Sequence, residues 1–426
     1  MTVLNGPIVF NSISGSDTQA SGLGPTDALY GSTASITSGS ATVTGIDTTN
    51  VLSGDLLWVK SSTGRQFSVI QTVVSSSEVL CDDNFDVTET GRTWAIGGKR
   101  KTFDNADSRF VFSDRMDNSR YVGIKTETDQ TVTGSTITVN SYSPTTIKKI
   151  YSDDLRTILA DVTSTTYGAF LTGQTQYVIW ENLKFLTTRT TPSQRAVMGG
   201  YAGLIKCVIG EEGASNNFAF GIRGEFYGHR VFAKDCTFYG PGADYTATVG
   251  GAIGGGHYNG TTTYVANCMI KDWPIGVYAY PGGARAFDTV ITDCDVGVYY
   301  NTANSDAIFK GCIFNNLRKG IDFTGSIPTD FLTYGVNITG SSSIFSNISS
   351  DLISSGSAAD LDRFTPTPQQ IYAYNCPNGF TNIHSSVTKV DLDVDPFVDS
   401  IGRDFNLNRE PGGGLTLRNS NFKVGE

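Results

Sequence analysis

Asp272 and Asp293 lie 21 residues apart (272 to 293) in a chain whose apolar residues recur at about that interval, so a structural repeat would stand their carboxyl groups side by side. Glycoside hydrolysis uses two carboxyl groups flanking one bond, roughly 5 to 10 Å apart, and neighbouring strands about 4.8 Å apart can supply them. The same residues fit a structural role. Lys271 adjoins Asp272, Arg318 lies two past Asn316, and Asp272, Asp293 and Asn316 share one offset within the repeat, where stacked Asx turns would put them. They are the candidate catalytic pair, with no recognised catalytic motif around them. Glu211, Glu212, Glu225, Asp235 and Asp244 lie near insertions and are equally without motif.

Trp273 with Tyr278, Tyr280, Tyr299 and Tyr300 is a candidate aromatic platform for sugar rings. Side chains alternate along a strand, so some of these residues would instead be core. Asp391, Asp393 and Asp395 alternate along one expected strand and are candidate calcium ligands. The 7 cysteines include no Cys-x-x-Cys pair, which signals neither a zinc site nor a disulfide framework. They read as buried free thiols. The 3 histidines come without a Gly-x-Ser-x-Gly elbow that would support a nucleophilic triad. No cofactor is implied.

The elements that must position these residues show between 176 and 323. Tyr264-Val-Ala-Asn-Cys268-Met-Ile270 is followed by Gly276-Val-Tyr, Ala286-Phe-Asp-Thr289-Val-Ile291 by Gly297-Val-Tyr, and Ile308-Phe-Lys-Gly-Cys312-Ile-Phe314 by Gly320-Ile-Asp. The steps are 21 (268 to 289) and 23 (289 to 312) residues; Cys207 and Cys236 precede at looser steps of 29 (207 to 236) and 32 (236 to 268). Such a period of strand, turn, strand, turn is one coil of a solenoid, with extra length in loops inserted on one face. Cys207, Cys236, Cys268, Thr289 and Cys312 then form an inward column, since free Cys behaves as a small buried apolar residue. Gly276, Gly297 and Gly320 mark a turn at positive φ or a close approach between coils.

The fold class expected is therefore all-β, a right-handed parallel β-helix preceded by a small N-terminal β module. Residues 1–28 read as an extended arm, 29–98 as a small β module for attachment, 99–410 as the β-helix with an N-terminal cap, and 411–426 as a C-terminal tail. Phe103 to Met116, with Asp104 as its N-cap, is the helix candidate for that cap. Composition agrees. Of 426 residues 39% are hydrophobic and only 17% charged, with 48 Gly, which favours strands and turns over surface helices. A net charge of -10 argues against nucleic acid as a partner. No apolar run approaches membrane-spanning length, and the amino terminus shows no signal-peptide pattern.

The coils around Cys268, Thr289 and Cys312 resemble the right-handed parallel β-helix superfamily of pectate lyases, polygalacturonases, phage tailspikes and adhesins. Arg92 to Arg100, Phe103 to Arg109, Pro396 to Asp399 and Gly412 to Leu415 are similar to β-helix proteins of tailed phages and some bacteria. The Asn-Thr-Asp, Asp-Asp, Gly-His-Gly and Arg-Ile-Lys set of polygalacturonases is missing, as is the calcium-binding carboxylate cluster of pectate lyases. The resemblance implies a phage virion structural protein, a β-helical appendage or capsid-surface protein assembled in the host cytoplasm. It implies other virion proteins as partners, a host-surface polysaccharide as ligand, and a homo-oligomer, with a trimer among the candidate states. A tailspike-type depolymerase, glycoside hydrolase or lyase, is the competing reading, and a bacterial adhesin the third.

Overall fold

The structure, a computed structural model, describes residues 8–11, 29–49, 51–53, 55–97, 99–100, 121–126, 128–134, 137–139, 147–162, 170–172, 177–188, 195–199, 201–214, 218–224, 230–242, 250–254, 262–279, 283–300, 307–323, 343–355, 369–381, 387–400 and 404–419. The chain divides into two compact units, 1–163 with 169–184, and 164–168 with 185–426. The cap helix expected at 103–116 falls outside the described residues.

In the first unit, six strands (Leu29–Ile36, Thr42–Thr44, Leu56–Ser61, Gly64–Ser75, Glu78–Cys81 and Glu89–Gly97) close into an antiparallel barrel. Alternation builds it. Ala34 and Ile36, Leu57 and Val59, Val79 and Cys81, and Trp94 and Ile96 send every second side chain into one core, all at 3% exposure or less. Gly31 lies under Trp94, where a Cβ would come 2.7 Å from the indole nitrogen. The same unit holds parallel strands. Tyr121–Thr126 pairs with Ile147–Val162, which also takes Gln130–Gly134. Ile8–Asn11 pairs in parallel with Tyr121–Thr126 and with Lys99–Arg100. The expected extended arm thus contributes a strand, because its Ile-Val-Phe run is apolar and β-prone although its surroundings are rich in Gly and Ser.

In the second unit the chain is a parallel β-helix. Three consecutive coils are Thr262–Ala266, Met269–Lys271 and Ile275–Ala279; Ala284–Phe287, Val290–Thr292 and Val296–Tyr300; then Ala307–Lys310, Ile313–Leu317 and Lys319–Phe323. Each strand pairs in parallel with its counterpart one coil on. A coil therefore has three strands where the sequence suggested two. The run from Tyr264 to Ile270 breaks at its column residue, because Asn267 takes the left-handed conformation (φ 49) and turns the chain. Asp235 (φ 55), Asp288 (φ 47) and Gly311 (φ 67) do the same in their own coils. Asn and Asp tolerate this conformation better than other side-chain-bearing residues.

Behind that corner lies the expected column. Cys207 N–H approaches Cys236 Sγ at 3.4 Å, Cys236 N–H approaches Cys268 Sγ at 3.4 Å, and Cys268 N–H approaches Thr289 Oγ1 at 3.4 Å. All these side chains are buried, with Cys312 at 0% exposure. Burial pushes the Cys312 thiol up to about 12. The neighbouring Cys236 thiol, followed by burial, raises that of Cys268.

Gly276, Gly297 and Gly320 lie within strands at ordinary φ, so close approach alone explains them. A Cβ on Gly276 would meet the Gly297 carbonyl at 2.6 Å, one on Gly297 the Gly320 carbonyl at 2.6 Å, and one on Gly320 the Leu352 carbonyl at 2.4 Å.

The far end is closed by the antiparallel pair Phe397–Asp399 and Asp404–Leu407 and by the helix Gly414–Asn419. Phe397, Phe405, Leu407 and Leu417 are buried in one cluster with Ile344 and Tyr372. Residues 411–419 are thus folded onto the last coils instead of trailing as a tail, held by Asn408, whose amide donates to Phe397 O (2.9 Å) and whose oxygen accepts from Gly414 N–H (2.9 Å).

Candidate functional site

In four successive coils a second corner falls four residues past the column, at Asp272 (φ 59), Asp293 (φ 56), Asn316 (φ 51) and Asn347 (φ 56). Stacking these corners produces a ladder. Asn316 Nδ2 donates to Asp293 Oδ1 at 2.6 Å, and Asn375 Nδ2 donates to Asn347 Oδ1 at 2.8 Å. Just inside it, Asn315 Nδ2 donates to Thr292 Oγ1 at 3.2 Å while its oxygen accepts from Asn347 Nδ2 at 3.2 Å. These bonds fix the carboxamides along the solenoid axis at intervals of about 4.8 Å.

The ladder forms one wall of a groove of about 690 Å³ lined by Asp293, Asn315, Asn316, Asn347, Ile348, Ser349, Tyr374, Asn375, Pro377, Asp395 and Ser400. Asn316, Ser349, Asn375 and Pro377 are exposed, and Asp293, Asn347, Tyr374 and Asp395 are half-buried. Asp395 is held from within its own turn, accepting from Phe397 N–H at 3.0 Å and from the Ser400 hydroxyl. The lining thus presents two carboxylates, several carboxamides, two hydroxyl-bearing serines and one phenol ring. Such a surface can accept and donate hydrogen bonds to a polyhydroxylated ligand along several coils.

The sequence candidates fare unevenly. Asp272 and Asp293 occupy equivalent corners of adjacent coils, each N–H bonding the coil after it. Asp272 is drawn towards Lys271 (3.3 Å), itself buried and bonded to Glu212 (2.6 Å), and does not line the groove; Asp293 does. The aromatic platform does not form as expected. Trp273 is 0% exposed, Tyr300 3% and Tyr278 5%, while half-buried Tyr299 stacks on Tyr278 at 5.6 Å. The coil's apolar interior claims Trp273 and Tyr300, and Tyr280 lies outside the described residues. The aspartates of the last coils do not converge either. Asp391 pairs with Lys389 at 2.7 Å, Asp393 N–H bonds Gly412 O, and Asp395 is engaged as above. Among the described residues no group of three or more His, Cys, Asp or Glu is placed to hold a metal. Glu225 and Asp244 fall outside the described residues.

Tyr374, Asn347, Asn375, Ser349 and Ser400 were not picked out from the sequence. Two signals pointed to the asparagines. Asn347 lies four past Ser343, as Asn316 lies four past Cys312, and Asn375 precedes Cys376 as Asp293 precedes Cys294.

No protein-family model and no curated protein matches the chain. Among solved structures it is similar to the tailspike protein gp49 from Pseudomonas phage LKA1, at 11% identity and a TM-score of 0.31, with 85% of this chain and 60% of that chain covered. It is also similar to the catalytic domain of GH87 alpha-1,3-glucanase in complex with nigerose (10% identity, TM-score 0.35, 85% of this chain and 87% of that one). A third is the Gp54 tailspike of Acinetobacter baumannii bacteriophage AP22 in complex with capsular saccharide (9% identity, TM-score 0.26, 88% of this chain and 66% of that one). The chain spans about three fifths of the length of the LKA1 tailspike.

Proposed function

We propose that this chain is a β-helical appendage of a phage particle that binds a surface polysaccharide of the host in the groove between Asp293 and Ser400. The observation that carries the binding half of this reading is the carboxamide ladder, in which Asn316, Asn347 and Asn375 are fixed by hydrogen bonds on successive coils beside Tyr374. Preorganised polar groups lose little freedom when a ligand docks, so affinity is gained at low entropic cost. A half-buried ring such as Tyr374 adds stacking area on its open face. The particle half rests on the resemblance of the stretches around 92–109 and 396–415 to β-helix proteins of tailed phages.

Asn316→Gly with Asn375→Gly tests the binding. Both positions have positive φ, where Gly is at ease, so the side chains are removed while the backbone conformation is kept. Affinity electrophoresis through soluble capsular or lipopolysaccharide of the host should retard the native protein and not the double variant, with circular dichroism unchanged. Equal retardation of both would move binding away from this groove.

The Asp293 carboxylate in the groove favours a second reading, cleavage of the bound polysaccharide by this one acid, since the register sets Asp395 four coils away, roughly 19 Å at about 4.8 Å per coil. Incubation with that polysaccharide would then release new reducing ends or unsaturated uronate, and Asp293→Asn would abolish the release. The binding reading expects no product from either protein.

A further inference from the structure

We infer that Asn378, one residue past Pro377 of the groove lining, is a spontaneous modification site whose side-chain amide cyclises onto Gly379 and opens to aspartate and isoaspartate. Its consequence, a groove that loses affinity as the protein ages, rests on the groove as the glycan site. Asparagine is a thermolabile residue. Which asparagine reacts is decided by how freely the amide nitrogen of the next residue reaches its Cγ.

At Asn378 that approach is open. The residue is exposed in the segment between the strands Gln369–Tyr374 and Phe380–Thr381, and its side chain makes no hydrogen bond among the described residues. Gly379 is tied to the coil before it through its carbonyl, which accepts from Leu352 N–H at 2.9 Å, while its own N–H donates no bond among the described residues. Without a Cβ, Gly379 also has the conformational freedom to swing its nitrogen towards Cγ.

The ladder asparagines are the contrast within the same fold. Asn316, Asn347 and Asn375 have their amides held at 2.6, 3.2 and 2.8 Å by the coil before them. Each is followed by a buried side chain, Leu317, Ile348 or Cys376, which crowds the attacking nitrogen and anchors the chain.

The reaction needs only water. The Gly379 nitrogen gives its proton to solvent base and bonds to Asn378 Cγ, and Nδ2 leaves as ammonia after taking a proton from water. The succinimide that remains is hydrolysed at either carbonyl. Opening at the main-chain carbonyl routes the backbone through the side chain as isoaspartate, and opening at the other gives aspartate. Both products put a carboxylate beside Pro377. Isoaspartate also adds a methylene to the main chain between Pro377, on the groove, and Gly379, on Leu352, so both ends no longer fit their places.

The test ages the folded native protein and Gly379→Ala in mildly alkaline buffer at body temperature. A Cβ on Gly379 would meet nothing nearer than Lys389 Cδ at 3.9 Å, an ordinary contact, so the variant keeps its fold. Fragmentation of the tryptic peptide 364–389 separates Asn378 from Asn375 and Asn382, and isoaspartate methyltransferase labels the rearranged product. Localisation matters because Asn5-Gly6 and Asn259-Gly260, outside the described residues, share the dipeptide. Asn378 should convert while the ladder asparagines persist, and about tenfold more slowly in Gly379→Ala, where a side chain obstructs the attack. Retention of the native protein by soluble capsular or lipopolysaccharide of the host should fall in step with conversion, and that of Gly379→Ala should hold. Conversion at Asn378 that is absent, or no faster than at Asn316, Asn347 and Asn375, overturns the site. Conversion with undiminished retention overturns its effect on the groove. A protein that converts at Asn378 but is never retained removes the groove reading and the effect that rests on it, and leaves the modification site standing.

Discussion

The barrel of residues 29–97 and the solenoid coils beyond residue 195 are both built almost wholly of strands, yet they restrain their residues differently. In the barrel, antiparallel neighbours close on themselves, and among the described residues 13 buried side chains of mixed shape fill one core. In the solenoid each position is bounded by the same position one coil on. Val277, Val298, Ile321 and Ile353 stack in register, as do Ile270, Ile291, Phe314 and Phe345. A barrel residue has to suit one irregular core, whereas a solenoid residue has to suit a translation of about 4.8 Å. Regular spacing of turn residues and glycines in the sequence therefore reports the solenoid, and the barrel leaves only alternation.

The sharpest test of that difference is charge placed in the cysteine column. Cys268 lies between Cys236 and Thr289, 4% exposed, its Sγ approached by Cys236 N–H at 3.4 Å and donating to Ala266 O at 3.2 Å. Cys268→Asp buries a carboxylate with no cation and should cost about 4 kcal/mol or prevent folding. Cys268→Ser should cost about 1 kcal/mol, because Thr289 already fills the same role one coil on, its hydroxyl donating to Phe287 O at 2.8 Å. Urea unfolding of the two variants measures both. If Ser is as damaging as Asp, the column is held by sulfur packing and the repeat does not define its chemistry.

Steric spacing comes next. Gly297→Ala would set a Cβ 2.6 Å from the Gly320 carbonyl, an atom of the next coil that cannot move without moving its whole strand. About 3 kcal/mol of destabilisation is expected. The barrel control is Gly39→Ala, where nothing lies within 4 Å of the new Cβ and the cost is the left-handed backbone (φ 78) alone, about 1 kcal/mol. Differential scanning calorimetry of the two variants should show the larger fall in transition temperature for Gly297→Ala. The reverse order would mean that the coils slide apart more readily than their register implies.

Much of the solenoid was legible because a translation repeats its chemistry. The offset of eight from Cys268 to Gly276 recurs twice, and so does the offset of four to the Asx corner. The third strand of each coil was not legible, because Asn267 and its equivalents break an apolar run through one backbone angle without breaking its hydrophobic pattern. The groove was half legible. Asp293 was found by its carboxyl group, but Asn347, Tyr374 and Asn375 belong to coils separated by long insertions, and neutral side chains carry no signal of chemistry until they are stacked. Trp273 misled for the opposite reason, since an aromatic beside an acidic turn reads as a sugar platform while the coil's interior needed its volume.

The smallest effect separates the two regions by pH. On the barrel, Arg92 Nε donates to Glu89 Oε2 at 2.6 Å and Ser62 N–H contacts both carboxylate oxygens at 3.1 Å, holding Glu89 at about 2 against an ordinary 4.5. A depressed carboxylate contributes stability that is present above its unfolded value and is lost as pH falls through the folded one, so the barrel should weaken between about 4.5 and about 2. The pair is at the surface, so the change is slight and should shrink with added salt. The solenoid's buried thiols act at the other end. Burial raises Cys312 from 9.0 to about 12 and Cys376 to about 11, and a raised pKa contributes stability that is present below the unfolded value and lost as pH rises through the folded one. Coils carrying these thiols should therefore loosen above about pH 9. Cys81 adds one such thiol to the barrel, so Cys81→Ser is the background in which to compare them. Thermal unfolding in that background, with and without Glu89→Gln, should give transition temperatures that differ at neutral pH and converge as pH approaches 2. A gap that persists in acid would show that Glu89 acts through packing and not through its charge.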